Sequence, residues 1–193
     1  FSREVKILDK SFFKSGDTLV KVDYSGLNYK DALILNNGAK LVKEYPHIPG
    51  VDFSGTVKES DNNDFKPGDN VVVTGSRVGE IYPGGYSQLV KVKNEFLVKI
   101  PKGISNRNAM ILGTAGFTSL LCAFAIMARE ELLLGEKIKE VLVTGASGGV
   151  GSIAVMVLSK LGCNVSAVTS KKEQSDYLKK LGANNILDRK DFE

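Results

Sequence analysis

Short runs of alternating apolar and polar residues fill the first half of the chain. "TLVKVDYS" (18–25) has the period of two that a half-buried strand requires. "NVVVTG" (70–75) follows "KPGD", where Pro67 fixes φ and Gly68 frees it, and "GGYSQLVKV" (84–92) and "EFLVKI" (95–100) continue the pattern. One short helix is predicted over 30–38, "KDALILNNG", ending at Asn and Gly. These runs predict a mostly-β first half, a compact barrel or curled sheet.

After Pro101, the last of the five prolines, the pattern changes. "SNRNAMILGTAGFTSLLCAFAIMAREELL" reads as two helical stretches around Gly113 to Gly116. A strand (141–144), a helix (150–161), a strand (165–169), a helix (172–181) and a strand (185–187) follow. Such alternation predicts βαβ units and a parallel sheet. The predicted class is α/β, with a domain boundary near residue 108, giving 1–108 and 109–193.

At 193 residues, with 42% hydrophobic and 25% charged residues, the composition is that of an ordinary soluble globular protein. The net charge of +4 comes from scattered residues, with no basic block, which argues against nucleic acid as the main partner. Cys122 and Cys163 stand far apart in apolar surroundings; two buried thiols in a reducing, cytoplasmic setting are expected. No stretch is read as the roughly 20 apolar residues of a membrane span, so no membrane partner is expected. The chain opens at Phe1 without Met and closes just after a predicted strand, so a truncated chain is expected.

The chemistry concentrates in "VLVTGASGGVGSIAV" (141–155). Ala146-Ser147-Gly148-Gly149-Val150-Gly151 has the G-x-G-x-x-G form with Ala in first place, between a strand and a helix. Small residues there permit a tight turn and close approach to a pyrophosphate, which Ser147, Gly148, Gly149 and Val150 would wrap at the helix N-terminus. A triphosphate loop would end in Gly-Lys-Ser/Thr, and this turn ends Val150-Gly151-Ser152. At the end of the second strand, where an NAD site places a carboxylate, stand Thr169, Ser170, Lys171 and Lys172. Hydroxyls and ammonium groups suit a 2′-phosphate, so NADPH is the expected cofactor, held there by Thr169, Ser170 and Lys171.

"SGLNYKDAL", "PHIPGVDFSGTV", "FKPGDNVVVTG", "AMILGTAGFTSLLCAF" and "VLVTGASGGVGSIAV" together resemble the medium-chain dehydrogenase/reductase superfamily. More narrowly they resemble its zinc-free, quinone-oxidoreductase-like branch, which includes bacterial acrylyl-CoA reductase. The resemblance implies a GroES-like mostly-β domain followed by a Rossmann domain, a doubly wound parallel sheet, here only its first half. In the superfamily's zinc enzymes a Cys ligand stands in "G-x-C-x-x-D"; the matching run here is Gly26 to Asp31, with Asn28 in the Cys place. Their Gly-His-Glu matches Gly50-Val51-Asp52, so the ligand His is Val51. One histidine and two distant cysteines give the same answer: no zinc. His47, between Pro46 and Pro49, is read as an exposed or loosely packed turn residue.

Without a metal, a hydride from NADPH can reduce a C=C bond conjugated to a carbonyl, and aimed hydrogen-bond donors must stabilise the oxygen's developing charge. Asn28 is the candidate donor. The resemblance implies that Tyr29 contacts the nicotinamide end of the cofactor and that Thr114 lines the cofactor cleft. It also implies a small-molecule substrate, either an α,β-unsaturated acyl-CoA of the acrylyl-CoA kind or a quinone, and a homodimer at full length. A non-enzymatic NADPH-binding protein is the alternative of another class. The isolated 193-residue chain is expected neither to fold stably nor to turn over substrate.

Overall fold

A computed structural model describes residues 2–13, 16–129 and 137–192. The chain divides into two compact units, Phe1–Thr114 and Ala115–Glu193.

The first unit is built on an antiparallel sheet of five strands: β1 (Thr18–Ser25), β2 (Asp52–Ser60), β3 (Asn70–Thr74), β4 (Leu89–Val92) and β5 (Val98–Lys99), in the order β4-β1-β2-β3-β5. Helix α1 (Tyr29–Leu35) lies in the β1–β2 connection. Val20, Phe53, Val57, Val71, Val73, Val90 and Val92 form the core on the sheet's inner face. β2 is the central strand, and the alternation rule did not reveal it. Residues Asp52 to Gly55 are all buried, so no polar face alternates with an apolar one. Its composition also reads against a strand, yet Gly55 is required: a Cβ there would stand 2.1 Å from the Lys21 carbonyl oxygen on β1.

β4 begins only at Leu89, because the backbone N–H groups of Gly84, Gly85 and Tyr86 bond instead to the carbonyls of Ile48, Gly50 and Pro49. β5 is likewise shortened, with a 3₁₀ turn over Asn94–Phe96 where a strand is predicted.

Helix α2 runs from Asn106 to Arg129 and is broken at Gly113 (φ 49°, ψ −154°), where the sequence reading divides it. Taken as one helix it is long and apolar enough to cross a membrane by length and composition, which corrects the expectation that no stretch is. The break leaves a described run from Thr114 shorter than the roughly 20 residues a span needs. Past the break, Gly116, Ser119 and Ala123 are buried, one stripe at helical spacing. Cys122 falls beside that stripe and is exposed, and Cys163 is half-buried, so the expectation of two buried thiols does not hold.

The second unit continues with β6 (Glu140–Val143), α3 (Gly149–Lys160), β7 (Asn164–Thr169), α4 (Ser175–Lys180) and β8 (Asn185–Asp188). The three strands are parallel in the order β6-β7-β8. Val143, Ala154, Val155, Leu158, Val165 and Leu178 fill its core. The class is α/β, an antiparallel sheet followed by a partial doubly wound parallel sheet, as the sequence predicts.

Candidate functional site

In the first unit the candidate residues stand on the loop between β1 and α1. Asn28 is the N-cap of α1, with extended backbone. Its N–H donates to Oδ2 of Asp31 at 2.9 Å, and the Asp31 N–H donates to the Asn28 carbonyl at 3.0 Å. Asp31 is fully buried, and its Oδ1 accepts the N–H groups of Gly50 (3.1 Å) and Val51 (3.0 Å). A buried carboxylate is costly unless its oxygens are bonded, and three N–H groups satisfy this one.

Asp52 makes a second such knot. It is 1% exposed; Oδ1 accepts the Gly26 N–H at 3.1 Å. Its Oδ2 accepts both the N–H (2.9 Å) and the hydroxyl (2.7 Å) of Thr114, next to the break in α2. Tyr86 closes the loop from a third side: its hydroxyl donates to the Gly26 carbonyl at 3.1 Å. Burial, then the negative charge of Asp31 and the hydroxyl's hydrogen bond to it, and last the charge of Asp52 push the Tyr86 phenol up to about 12, so it stays a donor.

Among the described residues, the Asn28 Nδ2 is one of two buried side-chain polar atoms with no hydrogen-bond partner; the other is Oδ1 of Asn106. A buried donor left unpaired costs about 1–3 kcal/mol, so such an atom in so tightly bonded a loop asks for an acceptor from outside the chain. Tyr29, the next residue, is 81% exposed and opens α1. Val51, in the place of the superfamily's ligand His, is a buried aliphatic.

His47 is half-buried, not loosely held. Its Nε2 donates to the Gly79 carbonyl at 2.7 Å, and burial pulls its pKa below the ordinary imidazole value. Glu80, also buried, pairs with Lys30 of α1 and with Arg77. The sequence reading singled out none of Asp31, Asp52, Glu80 or Tyr86. A signal was present for the two aspartates, since carboxylates inside apolar runs need partners.

In the second unit, the turn from β6 to α3 carries the other candidates. Gly145 has φ 58°, the left-handed value that starts the tight turn, so the turn's conformational glycine precedes the quoted motif by one residue. The Ala146 N–H donates to the Val168 carbonyl (3.1 Å), tying the turn to β7. Gly148 is the N-cap of α3. The first-turn N–H groups of such a helix have no partner within it and favour an anion. Gly151 is required by space: a Cβ there would lie 2.3 Å from the Gly145 oxygen and 2.7 Å from the Ala146 Cα. This is the close helix–strand packing that the last glycine of the motif provides.

Ser147 Oγ and Thr169 Oγ1 are hydrogen-bonded at 3.0 Å, and Thr169 Oγ1 accepts the Lys171 N–H at 3.1 Å. Thr169 is 5% exposed, so its hydroxyl joins the two loops from beneath, while Ser170 and Lys171 are exposed above it. Lys172 pairs with Asp188 at 3.4 Å. Among the described residues Lys171 has no ion-pair partner.

Residues 14–102 match the alcohol dehydrogenase GroES-like domain. The chain is 50% identical over 185 residues to acrylyl-CoA reductase AcuI of Ruegeria pomeroyi, covering 96% of this chain and 55% of that protein. It superposes on the yhdH oxidoreductase of Salmonella enterica, a crystal structure in complex with NADP, with a TM-score of 0.92 at 47% identity over 98% of this chain and 58% of that one. It is 42% identical to the putative quinone oxidoreductase YhfP of Bacillus subtilis, over 98% of this chain and 57% of that protein. The crystal structure of yhfP, with NAD bound, matches with a TM-score of 0.88 at 41% identity, over 97% of this chain and 56% of that one. The chain thus spans about half the length of the relatives it matches.

Proposed function

We propose that the protein carrying this chain, which is similar to the zinc-free, quinone-oxidoreductase-like branch of the medium-chain dehydrogenase/reductase superfamily, is an NADPH-dependent reductase of the activated C=C bond of an acrylyl-CoA-like acyl-CoA. The observation that carries the reading is the buried, unpartnered Nδ2 of Asn28 in the place of the zinc enzymes' Cys. The 50% identity to an acrylyl-CoA reductase supports the substrate class.

NADPH, when bound, supplies the hydride. The N-terminus of α3, with Ser147, Gly148, Gly149 and Val150, would hold the pyrophosphate; the backbone of the preceding turn lies so close to Gly151 that no side chain fits there, which seats the helix start against the turn as such a site requires. Ser170 and Lys171, which has no ion-pair partner among the described residues, would take the 2′-phosphate, while Thr169 holds the Lys171 backbone in place. The exposed Tyr29 is the residue that the family resemblance assigns to the nicotinamide end. The family resemblance assigns Thr114 to the cofactor cleft; within its own unit its backbone and hydroxyl are held by Asp52. Asn28 donates its Nδ2–H to the substrate's carbonyl oxygen, a bond that strengthens as negative charge builds there. The protein is proposed to be a cytoplasmic homodimer.

The test uses the intact protein, with NADPH oxidation followed in parallel on acrylyl-CoA and on a simple quinone. Faster turnover of acrylyl-CoA is expected. Preference for the quinone moves the protein to the second reading, which its likeness to YhfP favours. Binding of NADPH without reduction of either overturns catalysis in favour of a non-enzymatic NADPH-binding protein. Asn28→Ala should lower kcat about 100-fold, as loss of one oxyanion donor does, with NADPH affinity unchanged.

A further inference from the structure

Asn28 can act as an aimed donor only if its backbone is fixed, because its Nδ2 has no partner of its own and the side chain reaches only the Asp31 backbone, in the capping box that opens α1. The bonds that fix it converge on Gly26, two residues earlier. The Gly26 N–H is held by Asp52 at 3.1 Å, and the Gly26 carbonyl by the Tyr86 hydroxyl at 3.1 Å. A Cβ on Gly26 would meet Asp52 Oδ1 at 2.4 Å, so the peptide is pressed against the carboxylate as well as bonded to it.

Tyr86 is itself anchored where it can hold. Its N–H donates to the Pro49 carbonyl at 2.9 Å, and its N and Cδ1 lie where a Cβ on Gly50 would fall, 2.6 and 2.8 Å away. Gly50 and Val51 in turn donate to Asp31, which holds the Asn28 N–H. A closed circuit therefore runs from Tyr86 through Gly50, Asp31 and Asn28 back to Gly26. Within it, the Tyr86 hydroxyl donates to the Gly26 carbonyl and also lies against the Asp31 carboxylate, so it touches the circuit at two points.

We propose that Tyr86 is a positioning residue for Asn28: its hydroxyl grips the Gly26 carbonyl and so fixes the loop that aims the Asn28 amide. The inference rests on the reading of Asn28 given above. With its phenol held protonated, the grip persists through neutral and mildly alkaline pH.

Tyr86→Phe removes only the hydroxyl, and two readouts on the intact protein test it. The first needs no ligand: amide hydrogen exchange at Gly26 and Asn28 should speed up at least tenfold, with exchange at Val20 and Val72 of the sheet unchanged. Unchanged exchange at Gly26 and Asn28 overturns the proposal whatever the activity. The second is a double-mutant comparison of acrylyl-CoA reduction. Tyr86→Phe should lower kcat about tenfold with KM for NADPH unchanged, and should have no further effect in an Asn28→Ala background. A full tenfold loss in that background would show that Tyr86 acts apart from Asn28 and overturns it too. Should the wild-type protein reduce neither substrate, the functional reading fails and the exchange readout alone decides the role of Tyr86.

Discussion

The loop ahead of α1 and the turn ahead of α3 each bring backbone N–H groups together, by opposite means. Around Asn28, two buried carboxylates gather them: Asp31 collects three and Asp52 collects two, with a hydroxyl besides. Around Gly148, side chains are left out, so that the helix start sits against the preceding turn and its N–H groups remain for a ligand. The first region spends its N–H groups on the protein and leaves one side-chain donor over. The second keeps its N–H groups and commits its side chains, Ser147 to Thr169 and Thr169 to Lys171. A site that polarises one atom needs a single rigid donor, whereas a site for a diffuse anion needs several backbone donors at once.

If that contrast is right, one added carbon should break the second region. Gly151→Ala places a Cβ 2.3 Å from the Gly145 oxygen, backbone that cannot swing aside, and should cost about 3 kcal/mol, the upper range for overpacking. Urea unfolding and an NADPH fluorescence titration check it, with both stability and binding expected to fall. Gly145→Ala is the control, since its Cβ would meet nothing within 4 Å and only its φ of 58° opposes it; a loss of about 1 kcal/mol is expected. Equal losses would mean that backbone conformation rather than packing builds the turn. The first region should instead break when one oxygen becomes nitrogen. Asp31→Asn keeps the volume but turns an acceptor of N–H groups into a donor facing one, at about 2 kcal/mol. Unchanged urea stability would show that the buried carboxylate is dispensable.

The same contrast explains what could be read from the chain. The turn before α3 is written in a motif because exclusion of side chains selects glycine at fixed spacings, and the flanking strand and helix carry their periods openly. The parallel sheet and its class followed. Apart from the Asn28 N–H, three residues before Asp31 in a capping box, the knots at Asp31 and Asp52 have no spacing rule: their other backbone partners lie 19 to 62 residues away, invisible to a local pattern. Strand β2 was missed for a related reason. Buried on both faces and carrying Asp52, Ser54 and Gly55, it lacks both the alternation and the composition that mark a strand. Cys122 misled because apolar neighbours along a helix share no face with it when the buried stripe passes beside them.

The two smallest effects probe single side chains at the rim of each region. Lys171 is the exposed cation beside Ser170, and Lys171→Gln should weaken NADPH about fivefold, near 1 kcal/mol, with NADH unaffected. Equal weakening of both would place the lysine on the pyrophosphate rather than the 2′-phosphate. His47 supplies the counterpart on the carboxylate side, in the loop ahead of Gly50. Burial lowers its pKa in the fold, so the folded chain favours the neutral ring and the unfolded chain binds the proton more readily. Its contribution to stability is therefore full above the ordinary imidazole value of about 6.5 and is lost as pH falls through the lower folded value. His47→Gln keeps a donor for the Gly79 carbonyl and removes the titration. Urea midpoints measured between pH 7 and 5 should fall less steeply for the variant than for the wild type. Parallel slopes would mean that the ring is as easily protonated in the fold as outside it, and that the loop ahead of Gly50 is looser than the circuit it leads into.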